Sequence, residues 1–167
     1  MGAGGAGFPT HVKLNTKAEI LLINAAECEP LLAVDQQLII RNTKRFVATV
    51  NKVARYLGAK QKIVAIKKKH KEAVAALQKT KCQVHLLDNF YPAGDEQVTV
   101  LEATGRTVPE GGIPLEVGVV VLNVETVLNI ADALEGIPVT QTTLTVTGEV
   151  ARPLTGTFPI GITASEV

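Results

Sequence analysis

Three short segments of this chain, Glu19–Asn24 (EILLIN), Lys62–Ile66 (KIVAI) and Val117–Asn123 (VGVVVLN), are apolar at nearly every position rather than at alternate ones. A strand of that kind has no face to offer to water, so it belongs in a sheet covered on both sides, the arrangement of parallel sheets flanked by helices. The intervening sequence supplies the helices. From Asp35 to Leu57, Leu38, Ile39, Phe46, Val50, Val53, Ala54 and Leu57 recur at three- and four-residue steps, and Gly58 follows where a helix would stop. His70–Gln78 reads as a second helix, Cys82–Leu87 as a further strand, and Glu125–Leu134 as a helix fed by the Val-rich strand. The alternation predicts an α/β domain with a mostly parallel sheet.

After Gly136 the pattern changes, because Thr142–Thr147 (TTLTVT) alternates with period two and Gly, Pro and Thr dominate to the end. A boundary near Ile137 is expected, dividing the chain into 1–136 and a β-rich 137–167. The second piece is too short to stand alone and is expected to be an incomplete unit of something longer. Two cysteines, Cys28 and Cys82, cannot supply a four-ligand zinc or iron–sulfur site, so no metal is assigned. The longest apolar runs fall well short of the roughly 18 residues of a membrane span, and no basic-then-apolar signal segment opens the chain. A reducing, cytoplasmic setting is expected. Charge is sorted by half: residues 1–83 hold 15 Lys and Arg against 5 Asp and Glu, a net +10, and residues 84–167 hold 2 against 11, a net −9. Such a division fits one basic and one acidic face.

Four segments carry the chemistry. Gly2-Ala3-Gly4-Gly5-Ala6-Gly7-Phe8-Pro9-Thr10, with Lys13 beyond it, lets a backbone approach a ligand and turn several N–H groups inward, as phosphate requires. It does not follow a strand, so it is not a Rossmann fingerprint by context, and a flexible tail is the competing reading. Asn24-Ala25-Ala26-Glu27-Cys28-Glu29-Pro30 lies where its strand delivers it to the carboxyl edge of the sheet; its amide and acids can hold a heterocycle or sugar hydroxyls, or merely cap a turn. Cys28, between two acids and with no neighbouring His, is not read as a nucleophile. Tyr91-Pro92-Ala93-Gly94-Asp95-Glu96 and Leu122-Asn123-Val124-Glu125-Thr126 end two more strands, with helix capping as the plainer role for Asp95, Glu96 and Asn123. In a parallel sheet all four segments converge on one edge. Lys67-Lys68-Lys69-His70-Lys71 has no interleaved aromatics and reads as a solvated turn, not a nucleic-acid site, and His11, His70 and His85 have no ligand spacing.

Taken in order, these motifs resemble the RnfC-like electron-transport family, related to the flavin-bearing NADH-oxidising subunit of respiratory complex I. Pro109-Glu110-Gly111-Gly112-Ile113-Pro114 resembles the RnfC side of that relationship. The resemblance implies a Rossmann-like FMN- and NADH-binding domain followed by the start of a β-grasp (SLBB) unit. It implies that Gly2, Gly4, Gly5 and Gly7 form the loop around flavin and nucleotide, that Lys13 sits by the FMN phosphate or ribityl chain, and that Asn24, Glu27 and Tyr91 belong to the flavin site. By the same likeness Gly94 and Glu96 lie beside isoalloxazine and nicotinamide, Asn123 and Thr126 lie near the FMN phosphate, and Phe8, Glu29 and Glu96 match positions that hold NADH. Hydride would pass from NADH to FMN and onward to iron–sulfur clusters outside these residues, in a larger complex peripheral to a membrane through its partner subunits, with no side chain acting as acid or base. Ala26 and Leu122 replace polar residues of the complex I subunit, and Ala3 a larger one, each of the first two removing a polar contact to FMN. The alternative is therefore a non-catalytic docking module that has lost the flavin.

Overall fold

In a computed structural model, which describes residues 2–4 and 7–167, the apolar runs become β1 (Ile20–Ala25), β2 (Gln61–Lys67) and β4 (Val119–Asn123), joined by β3 (Gln83–Leu87). The four strands lie in the order β3-β2-β1-β4 and every pairing is parallel. Two-sided burial explains their composition. Leu21, Ile23, Val64, Ile66, Val120 and Leu122 face a layer built by α2 (Val34–Leu57), α3 (Lys71–Gln78) and α5 (Val124–Leu134). Ile20, Leu22, Ile63, Ala65, Val119 and Val121 face the other way, against Val100 of α4 (Glu96–Thr104) and Val108.

The long helix α2 supplies most of the first layer, with Ile39, Phe46, Val50 and Leu57 fully buried, and ends at Gly58, whose φ of 73° is the left-handed conformation a helix stop requires. It bends at Asn42 (φ −123°), whose side-chain Nδ2 donates to the Leu38 carbonyl at 3.1 Å in competition with the helix ladder. The Val-rich strand begins at Val119 rather than Val117, because Pro114–Val117 form a 3₁₀ turn that Gly118 closes. The pattern alone does not mark α1 (Thr10–Leu14), too short to show a period, or α4, which buries only Thr99 and Val100.

The chain path fixes where a site can lie. It runs outward from β1 through β2 to β3, then returns by α4 and the 105–118 segment to add β4 on the opposite side of β1. The order therefore reverses between β1 and β4, and the crevice at their carboxyl ends is where open α/β sheets bind ligands. Asn24 and Asn123, near the carboxyl ends of those strands, pair in register. Beyond α5, residues 137–167 form an antiparallel hairpin of β5 (Gln141–Val146) and β6 (Leu154–Pro159). No helix among the described residues is long and apolar enough to cross a membrane.

Phe46, at the centre of the helical layer and without solvent exposure, is the largest fully buried side chain. Phe46→Ala should cost about 3–5 kcal/mol, read as a shift of the urea midpoint at unchanged slope.

Candidate functional site

The crevice between β1 and β4 opens into a cavity of about 640 Å³. Every described candidate site residue lines it: Gly2, Gly4, Gly7, Phe8 and Lys13; Asn24, Glu27 and Glu29; Tyr91, Gly94 and Glu96; Asn123 and Thr126. Gly5 lies outside the described residues. Segments more than a hundred positions apart thus share one wall, a convergence that the parallel order and the return path to β4 impose.

The glycine loop sits over the first turn of α5. Gly2 N–H donates to the Phe8 carbonyl at 3.0 Å, closing the loop on itself, and Ala3 N–H donates to the buried Thr126 Oγ1 at 2.8 Å. A Cβ at Gly4 would lie 3.8 Å from that of Asn123. Asn123 is the N-cap of α5: its Oδ1 accepts from the N–H groups of Glu125 (2.9 Å) and Thr126 (3.4 Å). Capping and cavity lining, weighed against each other from sequence, are both true of this residue. Lys13 reaches across from α1. Its Nζ donates to Glu96 Oε1 and to the Val121 carbonyl, each at 2.9 Å, and lies 5.4 Å over the Phe8 ring.

The first acidic turn is equally constrained. Asn24 Nδ2 donates to the Gly94 carbonyl at 2.7 Å while its Oδ1 accepts from Ala26 N–H at 3.1 Å, so one amide ties the turn after β1 to the loop before α4. Gly94 N–H donates to Cys28 Sγ at 2.9 Å. A Cβ at Gly94 would stand 2.7 Å from that sulfur and 3.2 Å from Ala26 Cβ, so only glycine fits there. Glu27 has a left-handed backbone (φ 44°), a conformation costing about 1 kcal/mol or more outside glycine. Two contacts hold it: Lys67 Nζ donates to its carbonyl at 2.9 Å, and its carboxylate accepts the Asp35 and Gln36 N–H groups at the start of α2 (3.0 and 3.4 Å). Burial nevertheless raises the Glu27 carboxyl above its ordinary range. Lys67 is 2% exposed and His70 is buried as well, so the basic run is a solvated turn only at Lys68, Lys69 and Lys71. Asp95 caps α4 through Oδ1, as its position before the helix suggests, and Tyr91 stands 78% exposed at the rim.

Residues the sequence did not single out complete the wall. Asp35, 6% exposed in the first turn of α2, accepts Asn123 Nδ2 at 3.3 and 3.4 Å. Desolvation first, then the charge of Glu27, pushes its carboxyl up to about 8. From sequence it reads as one more acid at a helix start. Thr143, Leu144 and Thr145 of β5 line the far side, and the hairpin is pinned there: Glu125 Oε1 accepts from Thr143 N–H (2.8 Å) and Thr142 Oγ1 (3.1 Å), and Ala33 N–H donates to Thr145 Oγ1 (3.2 Å). Nothing in a period-two pattern announces that contact.

Gly94→Ala should lower stability by about 1–3 kcal/mol through overpacking against Cys28. In the Cys28→Ala background the same change should cost less, a coupling that a double-mutant cycle of denaturation midpoints measures.

The sequence and the fold have known counterparts. Residues 1–132 match the Nuo51 FMN-binding domain. Over its whole length the chain is 52% identical to the cobalamin reductase PduS of Salmonella typhimurium, and over 89% of its length it is 40% identical to a subunit of the proton-translocating ferredoxin:NAD(+) oxidoreductase complex of Clostridium ljungdahlii. It spans 38% and 34% of those two proteins. An NAD+-reducing [NiFe]-hydrogenase in its air-oxidized state superposes over 96% of this chain and 35% of its own, with a TM-score of 0.76 at 26% identity. A cavity at the switch point, lined by every described candidate site residue, and a family match over most of the chain lead to one assignment: this chain belongs to the Nuo51 FMN-binding domain family, with subunits of ferredoxin:NAD(+) oxidoreductase complexes among its relatives.

Proposed function

We propose that this chain is the FMN-binding core of an RnfC-like oxidoreductase, in which hydride from NADH reaches FMN and electrons leave for iron–sulfur centres outside residues 1–167. The observation that carries this reading is the assembly of four distant motifs around one cavity at the sheet's switch point. The residues present fit the group. The glycine loop and the N-terminus of α5 meet at Asn123 and Thr126, where the positive end of the helix dipole favours a phosphate. On the opposite wall, glycine at 94 lets the loop before α4 pack directly on Cys28 and Ala26, where a Cβ would force that loop to shift. When bound, FMN supplies the hydride acceptance and the one-electron release. The protein's part is to bind, orient and exclude water.

In this reading Gly2, Gly4, Gly5 and Gly7 wrap the flavin and nucleotide, Lys13 neutralises phosphate or ribityl oxygens in exchange for Glu96, and Asn24, Glu27, Tyr91 and Gly94 border the ring. Phe8, Glu29 and Glu96 take NADH. Residues 137–167 begin an SLBB-like unit after the FMN domain of 1–136. The electron acceptor is an iron–sulfur protein or domain of a larger assembly, cytoplasmic and held at a membrane by its partners.

The adapter reading draws on Ala26 and Leu122, which present no polar side-chain atom to the cavity; Ala26 is fully buried beneath Gly94, and Leu122 is 2% exposed. One titration separates the two. The chain should quench FMN fluorescence on binding, and NADH should then bleach the flavin band. Asn24→Ala, which unties Gly94 from β1, should weaken FMN binding at least about tenfold, the loss of one well-placed polar clasp. An adapter takes up no FMN at high micromolar flavin and shows no activity to lose.

A further inference from the structure

Six carboxyl groups line the cavity, those of Glu27, Glu29, Asp35, Asp95, Glu96 and Glu125, against a single ammonium among the described residues, that of Lys13. That ammonium is already paired with Glu96. A crevice for a phosphate-bearing ligand is thus strongly acidic, and each carboxyl that sheds its charge eases the entry of an anion. Asp35 is placed to do so. It is the most deeply buried of the six, on the first turn of α2.

The charged and titratable groups around the crevice come from several elements. Glu27 comes from the turn after β1 and Glu125 from α5, both raising its carboxyl. Lys67 from the end of β2 directs its ammonium to the Glu27 carbonyl, and Lys13 of α1 directs its own to Glu96 and Val121. The contact that remains is Asn123 Nδ2, which donates to both carboxyl oxygens at 3.3 and 3.4 Å, long for an amide facing a full carboxylate charge.

The same amide faces two ways. Its Nδ2 end meets Asp35 while its Oδ1 end caps α5, so Asp35 selects the orientation in which Asn123 serves the helix whose first turn carries the glycine loop. We propose that Asp35 is a proton-carrying positioning residue of the crevice: it orients Asn123, and the affinity of the cavity for a phosphate-bearing ligand follows the proton on its carboxyl. A neutral Asp35 keeps its carbonyl oxygen as the acceptor for Nδ2 and brings an O–H donor to the cavity floor. An ionised Asp35 adds a charge that the incoming phosphate opposes. The carboxyl value of about 8 puts this change just above neutral pH. The ligand-linked half of the proposal rests on the FMN-binding function proposed for the crevice.

The experiment measures FMN affinity by fluorescence quenching between pH 7 and 9, a range in which the phosphate, with its second ionisation near pH 6, is already largely a dianion. The wild-type chain should bind about tenfold more weakly at pH 9 than at pH 7, the ratio given by one required proton with a midpoint near 8. Asp35→Asn, which keeps shape and donor but cannot ionise, should flatten that ratio to less than about twofold, whatever its absolute affinity, whereas Glu125→Gln should leave a pH limb. A flat wild-type profile, or a limb that survives Asp35→Asn, overturns the proposal; a purely structural role would lower affinity without moving the limb.

A second measurement needs neither ligand nor variant. Carbon-13 NMR of the Asp35 carboxyl in the ligand-free chain should give a midpoint near 8, and a midpoint near 4 overturns the proposal. If FMN fails to bind at any pH, the FMN reading falls together with the ligand-linked half, while the NMR midpoint still decides whether Asp35 carries a proton at neutral pH.

Discussion

The parallel pairing of β1 with β4 is the constraint on which everything else hangs. It sets Ile20 beside Val119 and, four residues on, Asn24 beside Asn123, so two strands separated by nearly a hundred residues of chain end at the same level. Because β2 and β3 lie on the other side of β1, a crevice is left where the two ends meet. A one-residue slip of β1 would turn Asn24 toward the wrong layer and carry Leu21 and Ile23 out of the helical side of the core. The apolar continuity of these strands is therefore a structural necessity that also fixes the geometry of the crevice.

The side chains around the crevice hold the protein together as much as they face a ligand. Asn24, Glu27 and Asn123 each satisfy backbone groups that the ends of β1, α2 and α5 would otherwise leave unpaired. A ligand that enters therefore meets polar groups fixed in advance, the condition under which hydrogen bonds in a low-dielectric site are most effective. Lys13 is the exception. Its ammonium is shared between a half-exposed glutamate and a strand carbonyl, an arrangement that an incoming phosphate could rearrange at modest cost.

How much of the molecule was legible in the sequence depends on the range of the forces involved. The sheet, α2 and its stop at Gly58 are written in local hydrophobic periodicity, and motif order was enough to name a family and a set of residues that the fold then gathers. Asp35 was illegible as a site residue because its partner, Asn123, lies 88 positions away. Lys67 looked like part of a solvated run because its partner is a carbonyl 40 residues earlier. α4 hid because a helix with one fully buried apolar residue, Val100, carries almost no period. Pairings between distant polar groups leave no periodic trace.

The hairpin gives the chain a less obvious lesson. A change of pattern near Ile137 invites a cut there, as though the β-rich tail were a separate piece. Yet Thr142, Thr143 and Thr145 reach back to Glu125 and Ala33, and Thr143, Leu144 and Thr145 form the outer wall of the cavity. Trimming at the seam would leave the cavity unroofed and the first turns of two helices facing water. A piece that keeps this wall in place carries the β5–β6 hairpin with it, and any rearrangement that swaps the segment after α5 changes the pocket as well as the tail.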